Sequence, residues 1–260
     1  EYIESIGEKF GAKIKLDEVN NLIKNLSSDA EDEINEIITN LKMKDLMIWN
    51  KVKDHSLAFI VDLIKEDLKN FNVSFDNWFY ESSLGSIEEP NSEISSSIAK
   101  LNKDGMGYEK DGAIWLNTES CGDDKHRVLV RKDGRATYFA SDVAYHKNKI
   151  DRGFDKLINV WGADHQGYIK RIEASVEALG TSKDKLIVKL VQFANLFKKG
   201  KKIKMSTRSG DFYSLKDLID DIGADAARFY YLSKQTDQHL DFDLDLAKSD
   251  SKENIFYYIQ

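Results

Sequence analysis

The sequence predicts an α/β protein, with a helical first part followed by short strands and a strand, helix, strand unit. Two periodicities carry that expectation. Apolar residues recur at helical spacing through residue 68, and beyond residue 112 they alternate or run continuously as they do in strands.

The helical spacing predicts three helices, over 14–26, 34–49 and 57–68, with acidic residues and lysines between the apolar positions. The stretch 72–112 is irregular, with the sole proline, Pro90, a serine cluster at Ser95, Ser96 and Ser97, and the short helix-like SIAKLNKDG. By composition it reads as a linker or insertion rather than an active centre. AIWLNT and HRVLVRKDG then alternate as strands, and GRATYFA reads as a further strand after a glycine turn. KLINVWGAD and KLIVKLVQFANLF are continuous apolar runs of the kind buried in parallel sheets. Between them GYIKRIEASVEALG predicts a helix closed by Gly180, which makes a βαβ unit with its usual right-handed connection. Ser214 and Asp217 are spaced as a capping box opening SLKDLIDDIG, Gly223 stops that helix, and ADAARFYYLSK supplies another. The expected division is therefore 1–112, mainly helical, and 113–260, the sheet-bearing part.

With 260 residues and 41% apolar content the chain can bury one large core or two modest ones. Its formal net charge is -7, so any hold on a polyanion must come from local basic patches. The lone Cys121 excludes an internal disulfide framework and a cysteine metal site, and favours a reducing, cytoplasmic setting with no metal centre. No apolar run is long enough to span a bilayer. The sequence opens on Glu1 rather than Met and closes inside an apolar segment, ENIFYYIQ, so it is expected to be a piece of a longer chain.

In parallel α/β sheets ligands gather at the carboxyl ends of strands, and three stretches qualify. In VWGADHQGY, Gly162 allows a tight turn at a strand end, and Asp164, His165 and Gln166 lead into a helix whose free amides attract negative charge. The plain alternative is that Asp164 is only an N-cap and His165 a solvated loop residue. In TYFASDVAYHKNK, Tyr138 and Asp142 share a face whether the segment is strand or helix. A carboxylate beside a phenol suits a planar guanidinium, bound in bidentate fashion; the alternative is a charged helix start. FKKGKKIKMSTRSGDF carries six positive charges, five lysines and the Arg of Met-Ser-Thr-Arg, a composition that can follow charge moving between phosphate oxygens, or form a solvated basic hairpin.

The order of these segments resembles the second half of the nucleotide-binding, Rossmann-like domain of a class I aminoacyl-tRNA synthetase, preceded by a helical connecting insertion. Within that class it looks like arginyl-tRNA synthetase. SFDNWFYESSL, EKDGAIWLNTESCGDDKHRVLVRKDGRATYFASDVAYHKNK, NVWGADHQGYIKRI, KIKMSTRSGDFYSLKDLIDDIGADAARFYYL and HLDFDLDLAKSDSKENIFYYIQ carry the likeness over nearly the whole chain. The resemblance implies ATP-dependent ligation of L-arginine to tRNA(Arg) through an arginyl adenylate, with Mg2+ accompanying ATP, and a monomeric full-length enzyme away from membranes. It places Lys204, Ser206 and Arg208 in the catalytic loop, with Thr207 where the family has a second lysine. Tyr138, Asp142 and His165 then fall to arginine, and Gly162, Asp164, His165, Lys204 and Met205 to ATP. Gln192 and Asn195 fall near the adenine by position. No His-Ile-Gly-His-type motif of the class occurs in the chain, so half of the ATP site is expected outside it and the piece alone is expected to be inactive. One competing expectation is a non-catalytic nucleotide- or tRNA-binding fragment or paralogue of the class. Another, a cysteinyl enzyme, would need zinc ligands that one cysteine cannot supply.

Overall fold

A computed structural model of the chain describes residues 46–203, 205 and 212–259, together with 35, 38–40, 42 and 43. The helix expected over 14–26 and the loop residues Lys204, Ser206, Thr207 and Arg208 lie outside the described residues. The chain divides into two compact units, Glu1–Ser74 and Phe75–Gln260.

In the first unit, helix α1 runs without interruption over Leu46–Asn70. Residues 46–49, the end of the helix expected over 34–49, and the helix expected over 57–68 therefore lie in one, because NKVKDHS between them contains neither Gly nor Pro to break the run. The helix stops where Asn72 takes a left-handed φ of 57° and the Val73 N–H reaches back 2.8 Å to the Leu68 carbonyl.

The second unit begins well before the expected boundary at 112. Leu84, Ile94, Ile98 and Leu101 are buried in the same core as the strands and helices that follow, so the stretch read as a linker belongs to the packed domain. Helix α2, Glu93–Lys103, starts on Ser92, whose side chain accepts from the Ser95 N–H. Strands β1 (Gly107–Lys110), β2 (Ala113–Leu116) and β3 (Arg127–Val130) form an antiparallel sheet. Asp111 and Gly112, at φ 53° and 73°, make the two-residue turn between β1 and β2.

GRATYFA is not a strand. Thr137 has extended backbone and its side chain accepts from the Ala140 N–H, so helix α3, Tyr138–Asp151, begins at once; only Ala136 pairs in strand fashion, with Val130. Strand β4 (Leu157–Gly162) then pairs in parallel with β5 (Leu186–Val191), and helix α4 (Ile169–Ala178) joins them, which is the βαβ unit expected. Gly180, at φ 86°, terminates the connection. The strands are less buried than their composition predicts. Leu157 and Asn159 are buried while Ile158 and Val160 are 60% and 67% exposed, because only one face of β4 packs on the core.

The run KLIVKLVQFANLF also splits. After β5, Gln192 and Phe193 carry the chain into β6 (Ala194–Lys198), which lies in a separate sheet between β7 (Lys201–Lys202, antiparallel) and β8 (Leu240–Asp243, parallel). Helices α5 (Leu215–Ile222), opened by the Ser214 and Asp217 capping box, and α6 (Ala224–Leu232) follow as expected. Short helices α7 (Leu244–Lys248) and α8 (Ile255–Ile259) complete the described chain. No described helix is long and apolar enough to cross a membrane.

Candidate active site

Tyr138 is the first residue of α3 and 86% exposed; Asp142 sits one turn later on the same face and is half-buried. Opposite them, Trp161 ends β4, and His165 and Tyr168 come from a 3-10 turn over Ala163–Tyr168 that leads into α4. These five residues line one cavity of 370 Å³. Asp142 also lines a second cavity, of 220 Å³, with Phe79, Glu81, Leu84, Ser141 and Tyr145. The segment taken for a mere linker thus supplies three residues of that cavity's lining, Phe79, Glu81 and Leu84.

The Asp142 carboxylate accepts a hydrogen bond of 2.5 Å from the Tyr168 hydroxyl. Burial pushes the Asp142 carboxyl above its ordinary range, while that hydrogen bond and the charge of Lys149 pull it back. Tyr168 moves the same way: burial first, then its carboxylate partner, raise the phenol well above its usual value. A cation entering the cavity would favour the charged form of Asp142, which is the chemistry of a guanidinium or ammonium site.

Beneath Asp142 a buried polar chain fixes the helix. His146 Nδ1 donates to the Asp142 carbonyl at 2.7 Å, and its Nε2 accepts from Asn159 Nδ2 at 2.9 Å. Asn159 Oδ1 in turn accepts from Lys149 Nζ at 2.9 Å. Every donor meets an acceptor only with a neutral imidazole protonated on Nδ1. Burial lowers the His146 pKa from 6.5 to about 4, in keeping with that tautomer. A depressed histidine gives stability that is complete above pH 6.5 and lost as pH falls toward about 4. Urea unfolding of the chain should therefore weaken over that window, by up to about 3 kcal/mol. In His146→Gln, which takes up no proton there, that part of the pH dependence should vanish. An unchanged slope would assign it elsewhere.

Gly162 turns out not to serve the turn through its dihedrals. Its φ of -63° and ψ of 149° suit any residue, but an added Cβ would stand 2.5 Å from Asp164 Oδ1. Only that exposed side chain would have to swing aside for a larger residue. Asp164 does not cap the turn; it is exposed and 3.6 Å from His165 Nε2. Met205 is 47% exposed, and Lys204, Ser206 and Arg208, outside the described residues, have no position here. Of the basic run, Lys198 is tied to Asp221 at 2.9 Å, where Lys248 and the Tyr213 hydroxyl converge as well. That lysine serves the fold. Asn195 donates to Asp241 across the β6 and β8 pair, and the Gln192 N–H bonds the Thr236 carbonyl.

Trp161, Tyr168, Lys149 and His146 escaped the reading of the sequence as site residues. The last two had a signal, lying seven and four residues from Asp142 on a helix, where one face repeats at that spacing. For Trp161 and Tyr168 the only sign was their place at the two ends of the same strand-end run, WGADHQGY.

Comparison with known proteins narrows the chemistry. The family model for tRNA synthetases class I (R), catalytic domain, matches residues 8–247. An arginine–tRNA ligase of Vesicomyosocius okutanii is 45% identical, with all of this chain aligned to 46% of that protein. The ligase of Hydrogenovibrio crunogenus is 49% identical over 89% of this chain and 39% of its own length. The chain thus spans less than half the length of both. A Campylobacter jejuni crystal structure assigned as an arginyl-tRNA synthetase superposes with a TM-score of 0.76 at 33% identity, covering 91% of this chain and 53% of that one. The Thermus thermophilus arginyl-tRNA synthetase superposes at 0.64 with 14% identity, over 95% of this chain and 51% of that one, a likeness of fold.

Proposed function

Because the chain belongs to the family of class I (R) tRNA synthetase catalytic domains, we propose that it carries part of the site that joins L-arginine to tRNA(Arg) using ATP. In the full-length protein the arginine carboxylate would attack the α-phosphate of ATP, releasing pyrophosphate. A hydroxyl of the terminal tRNA adenosine would then attack the acyl carbon and release AMP. Neither step needs a protein nucleophile, so positioning and electrostatics supply the rate.

Asp142 is the observation that supports this most directly. It is a half-buried carboxylate shared by two cavities, opposite aromatic walls, where a planar guanidinium can be paired through two of its nitrogens. Tyr138, at the mouth, and His165, at the rim, would complete the arginine pocket. Gly162, Asp164, His165, Met205 and Lys204 would line the ATP side, with magnesium arriving on the triphosphate. Strands β4 and β5 would be the second half of the nucleotide-binding sheet. The exposed outer face of β4 supports that placement, since parallel strands are ordinarily covered on both faces. A monomeric, cytoplasmic enzyme remains part of the proposal.

Charging of a tRNA pool by the full-length protein, with labelled arginine and with lysine as control, tests the function. Arginine-specific charging is expected; no charging of any amino acid by a folded preparation would leave a binding module instead. Lys204 and Arg208 would stabilise the leaving pyrophosphate, Arg208 replacing the charge that Thr207 does not provide. Arg208→Ala should slow arginine-dependent pyrophosphate exchange, measured with tRNA present, by about a hundredfold. Undiminished exchange would remove Arg208 from that role.

A further inference from the structure

We infer that Tyr168 is the positioning residue of the arginine pocket: its hydroxyl sets the plane of the Asp142 carboxylate before ligand arrives, with Arg171 stacked behind it. This rests on the function proposed above. The hydroxyl donates to Asp142 Oδ2 at 2.5 Å. Its ring is held on several sides, by the Arg171 guanidinium over its face at 4.6 Å, by Trp161 at 6.0 Å, and by Phe139 edge-on at 6.4 Å. A ring so enclosed delivers its hydroxyl to one place. The carboxylate keeps both oxygens for a ligand, because each has two acceptor positions and Tyr168 uses one.

Bidentate pairing needs the carboxylate and guanidinium coplanar, so a carboxylate already fixed in orientation loses less freedom on binding. An ammonium, which is a point charge, gains little from such an orientation. Tyr168 would therefore favour arginine over lysine through the orientation of Asp142, beyond any contact its ring makes as a wall of the cavity. Packing alone makes a different forecast, because phenylalanine would keep the ring and the stack.

The groups facing Asp142 are Tyr168 and His165 from the strand-end turn, Arg171 from α4, and Lys149 and the neutral His146 from its own helix. Removing the hydroxyl leaves the cations in place and takes away one interaction that favours the ionised carboxylate. The acid limb of the arginine KM profile should then move to higher pH.

The test is steady-state aminoacylation by the full-length protein and its Tyr168→Phe variant, over a range of pH and with lysine as the competing amino acid. A ten- to hundredfold rise in arginine KM, roughly the worth of a hydrogen bond to a charged group, is expected, with kcat within about threefold and the acid limb shifted upward. An unchanged KM, or a fall in kcat alone, overturns the inference. Should the variant unfold at markedly lower temperature, Arg171→Met decides, since it keeps the aliphatic stem and removes the stacked cation. It should raise arginine KM in the same direction by a smaller factor, and no rise would overturn the role. A wild-type protein that charges no arginine overturns the proposed function itself, a result distinct from normal charging by both variants.

Discussion

Asp142→Asn in the full-length protein is expected to lower kcat/KM for arginine by on the order of 10³-fold or more while the fold persists. The exchange is nearly isosteric and removes only the charge and one acceptor. Asp142 is the acidic side chain common to the two cavities that meet at α3, so nothing else lining the aromatic one could pair with a guanidinium. The effect should fall on arginine KM far more than on pyrophosphate release, which belongs to the loop around Lys204. Folding should suffer little, because burial already pushes the Asp142 carboxyl upward and a neutral amide is easier to bury than a carboxylate. Aminoacylation kinetics beside a thermal melt separate the two effects. Near-normal arginine KM with an intact melt would move the recognition site away from α3.

The parts of this protein legible in its sequence are those decided by neighbours along the chain. Ser214 and Asp217 announce their helix because the capping box is closed within one turn, and Gly180 ends its segment through its own dihedral freedom. Tyr138 and Asp142 were paired correctly for the same reason: spacing of four puts them on one face whatever the segment does. TYFA failed as a strand because β-prone residues there were outweighed by one Thr137 cap, a local signal that the aromatic composition masked. The splitting of β5 from β6 had no Gly or Pro to mark it, since Gln192 and Phe193 simply pass from one sheet to the next. The DG turn that makes β1 and β2 a hairpin was present in EKDGAIW, yet β1 is too short and polar to read as a strand. The site's depth was least legible. The bond from Tyr168 to Asp142 spans 26 residues, and the wall at Phe79 and Glu81 comes from farther still.

Asp123→Ala, away from the pocket, should cost about 3 kcal/mol in urea unfolding. Asp123 is 3% exposed at its side chain and takes Arg127 Nε at 2.7 Å and Nη2 at 2.8 Å, a two-point pairing; Arg127 itself is 13% exposed and also meets the exposed Asp124. The pair closes the loop that brings the chain from β2 to β3, where Thr118, fully buried, donates to the Lys125 carbonyl at 2.6 Å. The Arg127 guanidinium beside Asp123 holds its carboxyl far below the usual carboxylate range, so the stabilisation is complete above pH 3.8 and lost as pH falls below it. Removing Asp123 leaves a largely buried cation with only the exposed Asp124 as carboxylate partner, and that cation lies within electrostatic reach of Tyr168. The double variant Asp123→Ala with Arg127→Leu should regain much of the loss, because replacing both charges leaves none unpaired in the interior. A single-variant cost below about 1 kcal/mol, or a double variant no better than the single, would show that the loop is held by its backbone and Thr118 rather than by the ion pair.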